Sequence, residues 1–237
     1  MNEALTLLSF GEHGWGDTIA RGVLVTVSLA IATLPFGLLL GFVIALAKNS
    51  SEPSLKLAAN IYTTIFRGLP ELLTLFLVYF GVQIAIQQGL KLIGVETYVE
   101  VNSFVAGMVA LALVFSSYAS EAFLSAFRGI PQGQYEGGSA LGLNRYQTMW
   151  LIILPQLIRL ALPALGNLWL ILLKETSLVS VVGLADLIRE SGIAARVTKE
   201  PFLFFGIACL IYLILAMISS AGLTRIERWT KRGDAAR

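Results

Sequence analysis

Long stretches without charged residues alternate with short polar segments along this chain. A bilayer core takes about 20 apolar residues per helix, so such stretches are of the length that a membrane span needs. They do not alternate polar and apolar residues as transmembrane β-strands do. The pattern predicts an all-α, polytopic membrane protein with five transmembrane helices. The uncharged stretches are residues 22–47, 72–90, 101–120, 160–173 and 201–224.

The flanking residues extend these stretches into the predicted spans. We expect a single transmembrane domain over residues 1–237, with a polar, cytoplasmic connection at residues 128–148. Asn102 and Ser103 are suited to cap the start of the third span. The spans are placed at about residues 20–48, 58–88, 101–127, 149–173 and 201–224.

Composition supports a membrane protein. Of the 237 residues, 56% are hydrophobic and only 14% are charged, which is too apolar for a soluble domain of this length. Acidic residues precede the first span, which is also too long for a cleaved signal peptide, so we expect it to stay in the chain. These acidic residues are Glu3, Glu12 and Asp17.

Basic residues predict the orientation. A basic tail follows the last span and should stay in the cytoplasm under the positive-inside rule, which puts the N-terminus outside. The fourth connection conflicts with this rule, because four basic residues there would be external. The tail holds Arg225, Arg228, Lys231, Arg232 and Arg237, and the conflicting residues are Lys174, Arg189, Arg196 and Lys199.

Two features of the first two spans leave alternatives open. Gly37 and Gly41 are four residues apart and allow another helix to approach closely, either within this bundle or from a partner chain. Arg67 and Glu71 flank a Gly-Leu-Pro break at the mouth of an apolar stretch. They either serve transport, as charges near a membrane core often do, or form a local ion pair.

The connection between the third and fourth spans has an unusual composition. It begins with the turn-forming residues Gly129, Pro131 and Gly133, and its sequence from Glu136 to Gly142 is Glu-Gly-Gly-Ser-Ala-Leu-Gly. The turn-forming residues end the preceding span, and the small residues give a short helix a bare surface that another protein could contact. An ordinary interfacial loop is the alternative.

This segment resembles the loop by which permeases of ABC importers bind their ATPase. In that family an acid, two small residues and a glycine at the seventh position are followed by Ile-x-Leu-Pro, although alanines usually stand at the two positions after the acid. The resemblance implies a coupling site. Its residues are Glu136, Gly137, Gly138, Ala140, Gly142, Ile152, Leu154 and Pro155.

Further motifs resemble the polar amino acid branch of these permeases. They are the Arg-Gly-x-Pro motif at Arg67 and the Lys-x-Thr-Ser-Leu motif at Lys174. Between them, Tyr118 and Glu121 are kept from the family pattern Ala-Tyr-x-Ala-Glu-x-x-Arg-Gly, but other positions depart from it. Serines replace the alanines, and Arg128 lies one helical turn beyond the expected arginine.

The resemblance implies the five-helix core of type I importers in a bacterial inner membrane. Such permeases work in pairs, either as homodimers or with a sister permease, together with ATPase subunits and an external solute-binding protein. The implied substrate is a polar, basic amino acid or an opine derivative of one. Candidate residues of the substrate pathway are Glu71, Tyr118, Glu121, Glu175, Thr176 and Ser177.

The chain lacks motifs that other functions need. It has no phosphate-binding loop of the Gly-x-x-x-x-Gly-Lys-Ser/Thr type, so we expect a translocation subunit without cofactors rather than an enzyme. Its single cysteine, Cys209, and single histidine, His13, support no metal site, and a net charge of +2 does not imply nucleic acid. The main alternative is a self-sufficient secondary transporter or channel, although an odd number of spans disfavours its inverted repeats.

Overall fold

A computed structural model of the chain describes residues 6–11, 14–94, 97 and 99–231. Glu3, Glu12, His13, Arg232 and Arg237 lie outside the described residues. All regular structure in the described part is helical, which confirms the predicted fold class. The helices are α1 (Gly16–Asn49), α2 (Pro53–Gly68), α3 (Glu71–Leu92), α4 (Ser103–Gly129), α5 (Gln132–Ala140), α6 (Arg145–Thr148), α7 (Leu154–Glu175), α8 (Leu187–Thr198) and α9 (Pro201–Lys231).

Two irregular helical turns extend α7. A π-helical turn, Met149–Ile153, joins α6 to α7, and a 3-10 helix, Thr176–Val182, follows it. The described residues contain five helical stretches that are long and apolar enough to cross a membrane. These stretches are Gly16–Asn49, Glu71–Leu92, Ser103–Gly129, Arg145–Val182 and Pro201–Thr230.

The second of these stretches begins later than the span that the sequence suggested. Leu69 and Pro70 separate α2 from α3, and Leu69 is extended, with φ −92° and ψ 140°. A proline disfavours helical backbone at the residue before it, which explains the break. As a result α2 is a separate amphipathic helix, and Glu71 becomes the first residue of α3.

Helix α4 lies at the centre of the bundle and packs most extensively against α1. A Cβ atom added to Gly41 would lie 2.8 Å from the Cβ of Ala119 and 3.0 Å from the carbonyl oxygen of Ser116. At Gly37 it would lie 2.6 Å from the ring of Phe115. The small residues of α1 therefore serve packing inside this bundle, which decides the alternative left open by the sequence.

Side-chain caps fix the ends of two helices. The carboxamide of Asn102 accepts hydrogen bonds from the backbone N–H groups of Phe104 and Val105, at 2.9 and 3.2 Å, so the predicted cap of α4 is confirmed. The buried carboxylate of Asp186 accepts from the N–H of Arg189 at 2.9 Å and caps α8. Helix α8 packs against both α1 and α9.

Candidate coupling and translocation sites

The segment between α4 and α7 is built from short helices with defined ends. Pro131 directly precedes α5, and Gly142 ends it in the left-handed conformation with φ +77°, which favours glycine. The N–H of Leu143 donates to the carbonyl of Gly138 at 3.0 Å. Asn144 and Gln147 then form a reciprocal capping box that starts α6. Local hydrogen bonds therefore hold this connecting segment, residues 130–155, in shape.

One face of the connecting segment packs against the rest of the chain. A Cβ added to Gly138 would lie 2.7 Å from the Cγ2 and Oγ1 atoms of Thr148, so α5 sits directly on the chain that leads into α7. Ile152 and Leu154 are half-buried and pack against the main core. Three of the predicted coupling residues are thus fixed within the permease itself.

The opposite face is open. Glu136, Ala140 and Pro155 are exposed, and nothing lies within 4 Å of a Cβ added to Gly137 or Gly142. Leu141, next to Gly142, leaves 78% of its surface exposed. The arrangement combines a carboxylate, a bare helix surface and an exposed leucine, which are features of a docking surface.

Two of the pathway candidates meet although they are far apart in sequence. Glu71 begins α3 and Glu175 ends α7, and their carboxylates lie close enough to repel each other. Lys174 attracts Glu175 in turn. Two hydroxyl groups follow directly: buried Thr176 donates to the carbonyl of Leu173 at 2.8 Å, and Ser177 donates to that of Lys174 at 2.7 Å. We call Glu71, Glu175, Thr176 and Ser177 the acidic site.

The other two candidates belong to a separate ion cluster. Glu121 forms salt bridges with Lys48 and, at 3.3 Å, with Arg67. Lys48 also donates to the hydroxyl of Thr63 at 2.7 Å, and the guanidinium of Arg67 lies over the ring of Tyr118, 5.6 Å from its centroid. We call these five residues the ion cluster.

The ion cluster joins three helices, α1, α2 and α4, beside an open cavity of 470 Å³. Its geometry argues against the local ion pair, one of the two alternatives left open by the sequence, because Arg67 pairs with Glu121 and not with neighbouring Glu71. Sequence reasoning also missed Lys48 and Thr63 as members. Lys48 stood out only as a basic residue after the first span, and no local pattern links it to Glu121.

Comparison with known proteins gives the family context of these sites. Residues 37–232 match the model of the family described as the binding-protein-dependent transport system inner membrane component. The nopaline transport system permease protein NocQ of Agrobacterium fabrum is 41% identical over 97% of this chain and 98% of its own length. The arginine ABC transporter permease protein ArtQ of Haemophilus influenzae is 38% identical over 88% of this chain and 91% of its own length.

A further relative and two solved structures agree. The histidine/lysine/arginine/ornithine transport system permease protein HisQ of Salmonella typhimurium is 35% identical over 91% of this chain and 94% of its own. The crystal structure of an amino acid ABC transporter with histidines superposes with a TM-score of 0.75 and 34% identity, covering 90% of this chain and 94% of that one. An inward-facing MetNI methionine ABC transporter, at 18% identity and a TM-score of 0.72, shares the fold over 90% of this chain and 96% of its own.

These matches span nearly the whole chain. The relatives are permease subunits, which confirms the predicted role as a membrane-spanning translocation subunit rather than an enzyme. The matched family consists of components of larger transport systems, which argues against the alternative of a self-sufficient secondary transporter or channel. The chain belongs to the binding-protein-dependent transport system inner membrane component family.

Proposed function

We propose that this permease imports a basic amino acid, or an opine derived from one, across a bacterial inner membrane. The relatives named for nopaline, arginine and histidine/lysine/arginine/ornithine transport support this substrate class. The acidic site supports it independently, because neighbouring carboxyl groups, whose charges repel each other when both are ionised, attract a cationic solute. A solute released beside Glu71 and Glu175 would relieve that repulsion.

The observation that carries the coupling role is the open face of the connecting segment. Its carboxylate is exposed, and no atom of the described residues lies within 4 Å of a Cβ added to Gly137 or Gly142. We propose that Glu136 and Gly142 dock α5 into a groove of a separate ATPase subunit, Glu136 by charge-assisted hydrogen bonding and Gly142 by close backbone packing. Closure of an ATPase dimer would then move α5 and, through Gly138 and Thr148, the start of α7.

A second permease, two ATPase subunits and an external solute-binding protein complete the proposed transporter. Helix α3 starts at the acidic site, and little of it is buried within this chain. This exposed helix supports a pathway formed between two permeases rather than inside one. Alternating access would open the acidic site first toward the binding protein and then toward the cytoplasm.

The proposed orientation places the N-terminus outside and the connecting segment inside. Single cysteines at Phe10 and Ser139, in a Cys209→Ser background, test it because both positions are exposed. An impermeant thiol reagent on the periplasmic side should label position 10 and leave position 139 unmodified. The reverse labelling pattern would show that the orientation is inverted.

The coupling role is tested by Gly142→Asp. Because φ is +77° and no atom lies nearby, this change strains one residue by about 1 kcal/mol and leaves the helices in place. In vesicles with the ATPase and binding protein, we expect normal insertion but loss of the link between ATP hydrolysis and uptake. Gly94→Asp is the matched control, because Gly94 has φ +76° and equal open space in the loop after α3.

The control separates docking from strain. Gly94→Asp should keep uptake and substrate-stimulated ATP hydrolysis near wild-type values. If Gly142→Asp behaves like the control, the docking proposal is wrong. If both variants lose uptake equally, backbone strain rather than docking explains the loss.

Charge-neutral variants test the substrate proposal. Glu71→Gln and Glu175→Gln keep side-chain size but remove the repelling charges, so we expect each to shift the preference from cationic toward neutral solutes. The readout is uptake of lysine or arginine against glutamine in vesicles with the cognate binding protein. Glu100→Gln, in an exposed loop, is the control. An unchanged preference in both variants would remove these residues from the pathway.

A further inference from the structure

A long apolar groove runs along one side of the bundle, away from the residues of the acidic site and the ion cluster. It has a volume of 650 Å³ and is lined by side chains of α1, α4, α7 and α9. The lining is aliphatic, aromatic or glycine apart from Ser219. Leu34 and Trp169 lie towards the mid-span end of the groove, whereas Phe42, Leu154 and Ile226 lie towards its opposite end. No part of the permease mechanism proposed above uses this groove.

Glycine gives the groove its depth. A Cβ atom added to Gly222 would meet nothing within 4 Å, so this position opens into the groove. Gly166, on the facing helix α7, would place its Cβ 3.3 Å from the side chain of Leu223. Helices α7 and α9 therefore touch beside Gly166, and the space over Gly222 stays open.

The groove has the length of one leaflet of a bilayer. Along α1 it extends from Leu34 to Phe42 and along α7 from Leu154 to Trp169, which at 1.5 Å per residue gives roughly 12 and 22 Å. Half of a hydrocarbon core of about 30 Å is about 15 Å. The groove is lined by α1, α7 and α9, and on each of these helices it extends from mid-span toward the same end of the bundle.

That end of the groove is basic. Arg225 and Arg228 are exposed on α9, one residue before and two residues after Ile226 in the sequence. Glu227 is the acidic residue in this part of α9. Trp229 leaves 74% of its surface exposed, as an indole at the membrane interface does. An apolar groove with a basic end is suited to a ligand that has an apolar chain and an anionic headgroup.

We propose that this groove binds one acyl chain of an anionic phospholipid, whose phosphate lies near Arg225 and Arg228. Basic residues at the membrane surface favour anionic headgroups. A second copy of this chain is a poorer occupant, because a two-fold axis along the membrane normal would bring its own arginines to the same depth. The lipid would fill the groove from the leaflet on the basic side.

Quenching of Trp169 tests the proposal, because this residue lines the groove. The full chain, with Trp15, Trp150 and Trp229 changed to Phe, is placed in phosphatidylcholine vesicles. Dibrominated phosphatidylglycerol is then compared with dibrominated phosphatidylcholine, since bromine quenches tryptophan on contact. We expect half-maximal quenching at about thirtyfold lower mole fraction for the anionic lipid, the preference that two basic residues near the surface provide at roughly fivefold each.

Two pairs of variants sharpen the result. Gly222→Phe should fill the groove and remove most of the quenching by either lipid. Gly206→Phe is the matched control, since Gly206 lies on the same helix in open space outside the groove and should leave quenching unchanged. Arg225→Gln with Arg228→Gln should keep the quenching but abolish the preference for the anionic headgroup.

Two results would overturn the proposal. Equal quenching by the two brominated lipids in the unaltered groove would show ordinary contact with bulk lipid and no site. Absence of quenching by either lipid would show that protein covers the groove, and cross-linking of two chains through Gly222→Cys would then identify a second copy as the occupant.

Discussion

Two sets of glycines in this permease look alike in sequence but lie in opposite surroundings. Gly37 and Gly41 face α4 so closely that an added methyl group would collide with Phe115 and with Ala119. Gly137 and Gly142 face nothing within 4 Å. The first set is explained inside the chain, because small residues let two membrane helices approach. No contact of this kind explains the second set within the described residues, although the φ of +77° at Gly142 favours glycine there.

The difference distinguishes glycines that the fold requires from glycines that are available for contact with another subunit. Where a glycine is required by a contact on the same chain, its substitution should damage the fold. Where a glycine faces open space, its substitution should spare the fold, and it should damage an assembly only where that space belongs to a docking surface. Gly138 lies between the two sets, because its neighbours Gly137 and Ser139 are exposed while it packs against Thr148.

The largest expected effect is that of Gly41→Leu. The added side chain would meet the backbone of α4 at Ser116, which cannot move without shifting the central helix. Overpacking of this kind costs about 3 kcal/mol or more, and we expect little monodisperse protein after detergent extraction. Gly81→Leu, on α3 with nothing within 4 Å, is the control and should extract normally. Equal yields from both variants would contradict the assignment of Gly41 to internal packing.

The bilayer explains why much of the fold could be predicted from sequence. A span must satisfy its backbone internally and match a fixed thickness, so an uncharged stretch such as residues 201–224 predicts a helix almost by itself. Caps are also local, which is why Asn102 could be identified. The family motif around Glu136 similarly depends on spacing along the chain rather than on tertiary contacts.

The contacts between helices could not be predicted in this way. Glu71 lies four residues from Arg67, the natural spacing for a helical ion pair, yet Pro70 breaks the helix and Arg67 pairs with Glu121. Glu71 instead approaches Glu175. Both partners are distant in sequence, so only the packing of α2 against α4 and of α3 against the end of α7 decides them.

The ion cluster extends the comparison to charged residues. The side chain of Lys48 is only 5% exposed, and its ammonium group depends on Glu121 and Thr63. Glu121→Gln should therefore cost about 3 kcal/mol, the lower end for breaking a buried pair, because Glu121 itself is 38% exposed. Thermal unfolding in detergent measures this loss, and solute preference should not change.

The double variant Lys48→Met with Glu121→Leu is the matching control. Removing both charges avoids leaving one of them buried alone, so it should cost less than Glu121→Gln. A double variant that is less stable than the single one would show that the pair itself stabilises the bundle. A changed solute preference in Glu121→Gln would instead return Glu121 to the substrate pathway.

The buried carboxyl group of Asp186 allows a pH-dependent test of how burial affects a charged residue. Burial raises the pKa of this carboxyl from 3.8 to about 6, although N–H groups of α8 donate to it. Since the folded state binds the proton more tightly, the contribution of this carboxyl to the free energy of unfolding should be highest below about pH 4 and fall by on the order of 3 kcal/mol as pH rises through 6. Asp186→Asn keeps a helix cap and cannot titrate there. The difference between the two unfolding curves should follow this window, and parallel curves would rule it out.

The smallest effects distinguish neighbouring positions on α5. Gly138→Ala would place a methyl group 2.7 Å from Thr148, so we expect a loss of about 1 kcal/mol as the two segments separate. Gly137→Ala meets nothing, and replacing a helical glycine should stabilise α5 by about 0.5 to 1 kcal/mol. Thermal unfolding and ATP-driven uptake should therefore respond differently at the two positions. Gly138→Ala should lower the free energy of unfolding. Gly137→Leu should leave the free energy of unfolding unchanged but weaken coupling, because its larger side chain would project from the docking surface. If both positions affect stability alike, α5 does not pack on Thr148 as described, and if Gly137→Leu transports normally, the open face does not contact the ATPase.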